Sequence, residues 1–141
     1  MIKRASEMPR TVKPQMRGGD GQAVVTNLLD AGEYQGKSRM IATITLEPGC
    51  SIGEHVHEKE EEVFYIIQGT ATYDDNGTET VLHPGDACIC LGGQKHSIAN
   101  RTADETLVLH AVILNYFHAC SLFFWCRRIQ AISFLVSFKD V

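Results

Sequence analysis

The residues best suited to chemistry are three histidines and a run of glutamates. His55 and His57 stand two apart, and in an extended strand side chains two apart share a face. Two imidazoles so placed can grip one ion from adjacent corners of its coordination sphere. A carboxylate at the start of the next strand supplies a third corner, and two histidines with one carboxylate leave positions open for water, substrate or oxygen. Glu60, Glu61 and Glu62 compete for that third place. Glu62 opens the run Val63–Gln68 and would share its face with Phe64 and Ile66, which suits a pocket walled by apolar groups. Glu61 is the substitute candidate, and Glu54, Glu58 and Glu60 read as a solvated acidic rim. His96 follows a glycine-rich turn and begins a later strand, where closure of a barrel would set it opposite the first pair.

Other reactive side chains carry weaker expectations. His110 lies in the last apolar strand, where it is either a core histidine or a group pointing into the barrel to move a proton. His83 belongs to a turn, and no argument attaches to His118. Tyr65 and Tyr73 read as packing residues, and Asn100 as support for a strand end. The five cysteines are Cys50, Cys88, Cys90, Cys120 and Cys126. None is spaced as CxxC, so no zinc ribbon or thioredoxin motif is present. Cys88 and Cys90 share one strand face, and nothing nearby predicts a lowered thiol pKa. The sequence shows no Ser-His-Asp order, P-loop or dinucleotide fingerprint.

The elements that must position these groups are short strands and tight turns. Ala23–Leu29 is a first candidate strand, and Met40–Leu46 alternates before stopping at Pro48-Gly49. Val63–Gln68 ends at Gly69. Thr70–Tyr73 and Thr78–Leu82 flank Asp74-Asp75-Asn76-Gly77, where Asn-Gly supplies the positive φ values of a hairpin. Ala87–Leu91, Ser97–Asn100 and Thr106–Leu114 complete the set. Strands at such spacing, with no amphipathic helix before Tyr116, predict an all-β sandwich or barrel.

At 141 residues the chain suits one domain. Thirteen basic against seventeen acidic residues give a net charge of −4, which disfavours a phosphate backbone, so no nucleic-acid partner is expected. Residues 1–22, with two prolines and three glycines among charges, read as an arm that lies over the domain or stays mobile. The N-terminus has no apolar stretch behind its basic residues, so a cytoplasmic location is expected. Residues 117–141 form an apolar tail, but Arg127, Arg128 and Gln130 interrupt it, so it does not read as a membrane span of ~30 Å. The readings for it are a packed helix, a membrane-surface segment, or sequence appended to a domain that ends near Tyr116.

Two stretches resemble a known family. Gly49-x5-His55-x-His57-x4-Glu62-x6-Gly69 is similar to the first cupin motif at each defined position, and Gly85-x5-Leu91-x-Gly93-x2-His96-x3-Asn100 resembles the second. The second motif's usual proline is Leu91 here, which bears on loop geometry and not on ligation. The resemblance implies a single-domain cupin β-barrel (a double-stranded β-helix, or jelly roll) over 23–116. It also implies one divalent metal ion held by His55, His57, Glu62 and His96. That donor set suits manganese(II) or iron(II), with zinc(II) or nickel(II) as alternatives. The expected function is that of a metal-dependent enzyme, a decarboxylase, dioxygenase or isomerase, acting on a small oxygen-rich molecule such as an organic acid, sugar derivative or diketone. The alternative is a non-catalytic module that binds or senses a small ligand. A homodimer is expected, because an open sheet edge needs cover.

Overall fold

The structure is a computed structural model, and it describes residues 1–116. The readings made above for the tail fall on residues outside that range. Two 3₁₀ turns, Ala5–Glu7 and Met16–Gly18, precede or interrupt the early strands, and everything else regular is strand. The strands are β1 (Arg10–Pro14), β2 (Gln22–Leu29), β3 (Ser38–Leu46), β4 (Ser51–Val56), β5 (Glu60–Gln68), β6 (Ala71–Asp75), β7 (Thr78–Leu82), β8 (Ala87–Cys90), β9 (Lys95–Ala99) and β10 (Leu107–Asn115).

They form a six-stranded sheet, β1-β2-β3-β10-β5-β8, and a four-stranded sheet, β4-β9-β6-β7. Every pairing is antiparallel. The two sheets face each other without hydrogen-bonding into one closed ladder, so the barrel is a jelly-roll sandwich.

Period-two alternation builds the core. Ala42, Ile44 and Leu46 of β3, Leu107, Leu109 and Ala111 of β10, and Phe64 and Ile66 of β5 face Ile52, Ala71, Tyr73 and Ile98 of the smaller sheet. Burying a side chain such as Phe64 stabilises the fold by ~1.5–3 kcal/mol. The β6–β7 hairpin turns through Asn76 and Gly77 at φ 54° and 92°, as the Asn-Gly pair requires.

The first 22 residues do more than drape over the domain. β1 pairs with β2 from Arg10↔Thr26 to Pro14↔Gln22 and becomes the edge of the larger sheet. All five of its residues are exposed, so it carries no alternation for a sequence reading to detect. The turn at 16–18 then lies on β4. Gly19 and Gly53 pass backbone against backbone there, and a methyl group built on Gly53 would sit 2.8 Å from the Gly19 nitrogen. The N-terminal segment thereby braces the strand that carries His55.

Candidate metal centre

Three separate parts of the fold meet at the cluster. β4 and β9 pair with His55 directly opposite His96. His57 lies one residue past the end of β4, so the pair is not one uninterrupted strand. The extended backbone nevertheless keeps both rings on one side, with centroids 5.0 Å apart. Glu62 comes from the opposing sheet, on β5 between Ile113 of β10 and Cys90 of β8. Of the three consecutive glutamates it is the buried one, and Phe64 and Ile66 follow it on the same face, as the strand reading requires.

Two turns at the mouth hold the ligand-bearing segments together. The Gly93 N–H donates to the His57 carbonyl at 2.7 Å, and the Gly92 N–H to the Tyr116 hydroxyl at 2.6 Å. Tyr116 in turn donates its own N–H to the Lys59 carbonyl. Leu91 does not spoil this loop. Its N–H, which a proline would lack, donates to the Gln94 side-chain oxygen at 3.0 Å.

The donor atoms converge. One nitrogen or oxygen from each of His55, His57, Glu62 and His96 lies within 4.8 Å of all the others. His57 Nε2 is 3.1 Å from both His96 Nε2 and Glu62 Oε2, and His96 Nε2 is 3.2 Å from Glu62 Oε2. His55 Nε2 is 3.2 Å from His96 Nε2 and 3.8 Å from Glu62 Oε2. With metal–ligand bonds of ~2.1 Å, neighbouring octahedral donors lie ~3.0 Å apart and tetrahedral ones ~3.4 Å. The mutual separations of His57, His96 and Glu62 match one face of an octahedron.

The outer ring nitrogens explain why the inner ones are free to ligate. The His55 Nδ1–H donates to the Gly53 carbonyl at 2.9 Å, and the His57 Nδ1–H to Glu60 Oε1 at 3.0 Å. His96 Nδ1 lies 3.2 Å from the Tyr73 hydroxyl, whose oxygen can accept its N–H. The acceptors beside His55 and His57 hold a proton at Nδ1, so that Nε2 can offer a lone pair to a cation; a ring protonated on both nitrogens can instead donate from Nε2 to Glu62. The residues fit a cation.

Electrostatics agree. Burial opposes ionisation of Glu62, but hydrogen bonds from His55, His57 and His96 outweigh it and hold its carboxyl well below the usual carboxylate range. Hydrogen bonding to Glu62, reinforced by Glu60 against the cost of burial, raises the His57 pKa. Burial lowers that of His96, against the pull of Glu62, and Phe64 stacks on its ring at 5.2 Å.

Other expected roles change. His110 alternates with the inward Leu109 and Ala111, so it lies on the outer face of the six-stranded sheet, 3.1 Å from Thr43 Oγ1. It is not brought to the cluster, and the role of moving a proton in the pocket does not fit its position. Glu60 is no solvated rim residue: its side chain is 15% exposed and bound to Arg39 and His57. Glu54 is half exposed and paired with Lys95. Tyr73 is more than packing, because it holds the outer nitrogen of His96. Sequence spacing carries no signal for Arg39, Glu60 or Tyr73, since their partners are distant in sequence or need the correct strand parity. Burial pushes the Cys88 and Cys90 thiols up to about 11, so neither is a thiolate near neutral pH. A surface cleft of about 350 Å³ beside Asp20, Ser97 and Arg101 lies apart from the cluster.

Comparison with known proteins agrees with this frame. The cupin domain family matches residues 42–113, and the chain belongs to that family. An oxalate-binding protein of Thermotoga maritima is 38% identical over 114 residues, covering 81% of this chain and 93% of that protein. The crystal structure of a Thermotoga maritima protein described as a predicted oxalate decarboxylase superposes with a TM-score of 0.76. It has 36% identity and covers 82% of this chain and 99% of the other. The tetracenomycin polyketide synthase protein TcmJ of Streptomyces glaucescens is 33% identical over 92 residues, covering 64% of this chain and 59% of that protein.

Proposed function

We propose that this cupin holds one divalent cation, manganese(II) or iron(II), and through it binds a small chelating carboxylate such as oxalate. The observation that carries the reading is the convergence of three imidazole Nε2 atoms on one carboxylate oxygen, with the outer nitrogens of His55 and His57 each beside an acceptor. Four protein donors leave two positions for a bidentate ligand. The bound ion would supply a Lewis-acid centre for two ligand oxygens. His55, His57, His96 and Glu62 would hold it, while Phe64, Ile66, Leu109 and Ile113 keep bulk water from the inner wall. The likeness to an oxalate-binding protein supports the ligand class.

Binding takes precedence over turnover because decarboxylation must deliver a proton to carbon. Among the described residues the buried polar side chains are His57, Glu62, His96 and Asn100, and Asn100 donates to the Leu46 and Glu105 carbonyls. Tyr73 keeps its proton, burial having raised its pKa, and His110 faces outward. Among the described residues, Glu62 is the one buried carboxyl group, and it faces the rings. Two further elements belong to the proposal. A homodimer is supported by Tyr65, Ile67 and Ile89, exposed on the outer face of the larger sheet. A reducing, cytoplasmic setting is supported by the free thiols Cys50, Cys88 and Cys90.

Calorimetric titration of oxalate into manganese-loaded and metal-free protein, with product assays for formate, tests this. One oxalate per chain bound only by the loaded protein, without formate, is the expected result. Formate production would establish the catalytic alternative, and absence of oxalate binding by loaded protein would overturn the ligand class.

A further inference from the structure

Each ligand imidazole is backed by an acceptor, but the three acceptors differ in kind. His55 is backed by a neutral carbonyl and His96 by a neutral hydroxyl. His57 alone is backed by a carboxylate, Glu60, at 3.0 Å. That carboxylate is itself clamped: Arg39 Nε donates to Oε2 at 2.7 Å and an Arg39 terminal nitrogen donates to Oε1 at 2.8 Å. Both oxygens of Glu60 are thus committed, one to Arg39 alone and one shared between Arg39 and His57. Arg39 lies on β3 and Glu60 on β5, brought together across the end of β10 by the pairings Leu114↔Ser38 and Asn115↔Glu60.

The clamp resolves an ambiguity of the sequence. Glu60 and Glu62 sit two apart on one strand, and both reach His57, at Nδ1 and Nε2 respectively. Two carboxylates on one side of a strand are both able to seek a cation. A bidentate guanidinium holds one of them in a fixed orientation and satisfies its charge. Glu62 has no such partner and faces the rings.

Resting on the metal-binding reading above, we propose that Glu60, anchored by Arg39, is a positioning residue. It fixes the ring and tautomer of His57, makes that imidazole the strongest nitrogen donor of the three, and is itself kept from ligating. An outer carboxylate raises ligand basicity and orients the ring, and removing such a partner typically weakens metal binding by ~10–100-fold. Arg39, Glu60 and His57 form a chain of guanidinium, carboxylate and imidazole whose inner nitrogen would hold the ion.

The test compares wild type, Glu60→Gln and Glu60→Ala. Manganese affinity is read by competition with a chelator. Ring Nδ1–H resonances are read by NMR on zinc-loaded protein, zinc serving as a diamagnetic probe. Glu60→Ala is expected to bind manganese ~10–100-fold more weakly. Glu60→Gln, which keeps an accepting oxygen without the charge, is expected to fall between it and wild type. The His57 Nδ1–H resonance shifts upfield in both variants, while those of His55 and His96 stay in place. Affinities within twofold of wild type overturn the proposal. So does weakened binding with an unmoved His57 resonance, because that marks a general structural effect. A wild type that takes up neither metal overturns the underlying metal reading instead.

Discussion

Replacing Gly53 by alanine couples the stability of the fold to the metal centre. Gly53 does two things: its carbonyl orients His55, and its bare α-carbon lets β4 touch the segment before β2. A methyl group there would overlap the Arg17 carbonyl and lie 2.8 Å from the Gly19 nitrogen and 2.9 Å from the Gly18 carbonyl carbon. These atoms are all backbone, so no side chain can swing aside. Relief requires β4 and the 16–19 segment to separate by several tenths of an ångström. Such overpacking costs ~1–3 kcal/mol. For a domain of this size that lowers Tm by roughly 4–12 °C. The displaced carbonyl also releases the His55 ring, so manganese affinity falls by about tenfold. Gly36→Ala is the control, since a methyl group there meets nothing within 4 Å. It should leave Tm unchanged or slightly raised, by the entropy it removes from the unfolded chain. Gly19→Ala crowds the same crossing from the other side, its methyl group overlapping the Ser51 carbonyl and lying 2.7 Å from the Gly53 nitrogen; one separation of the two segments serves both methyl groups, so the double variant should cost less than the sum of the singles. Differential scanning fluorimetry and chelator competition read both effects. A Gly53→Ala protein melting within 1 °C of wild type, with unchanged metal affinity, would refute the bracing role.

Three further outcomes follow from the same geometry. Hydrogen bonding to Glu62 raises the His57 pKa, which favours the protonated ring that a cation must displace. Manganese affinity should therefore climb with pH, by up to about one decade per unit, until pH passes the raised His57 pKa; a flat profile from pH 5.5 to 7.5 would contradict this. In metal-free protein the sign reverses: the His57–Glu62 contribution is fully present below about pH 6.5 and is lost as pH rises through the folded His57 pKa. His110→Gln should leave manganese and oxalate affinity within twofold of wild type in calorimetry, because the ring lies outside the sandwich; a tenfold loss would place it back in the site.

The four side chains that cluster, His55, His57, Glu62 and His96, were legible because they are marked locally. His55 and His57 declare a shared face by their spacing, and the same-face residues after Glu62, Phe64 and Ile66, are both apolar. The strand ending at Asp75 and the one opening at Thr78 announce themselves through Asn76-Gly77. What was not legible depends on parity or on distant pairing. β10 reads Leu-Val-Leu-His-Ala-Val-Ile, with apolar residues on both faces, so periodicity leaves the direction of His110 undecided. Glu60 sits in a charge run that resembles a solvated surface, and only the placement of β3 and β5 on either side of β10 brings Arg39 to it. β1 earns its place through backbone pairing with β2 and buries no side chain, so its residues give no pattern.

Metal stoichiometry measured by elemental analysis, on protein purified without added metal and then titrated with manganese, bears most directly on the central claim. Wild type should take up one ion per chain, while His57→Ala and Glu62→Ala, folded by circular dichroism, should retain little. A wild type that binds no ion, or two folded variants that keep the full equivalent, would contradict it.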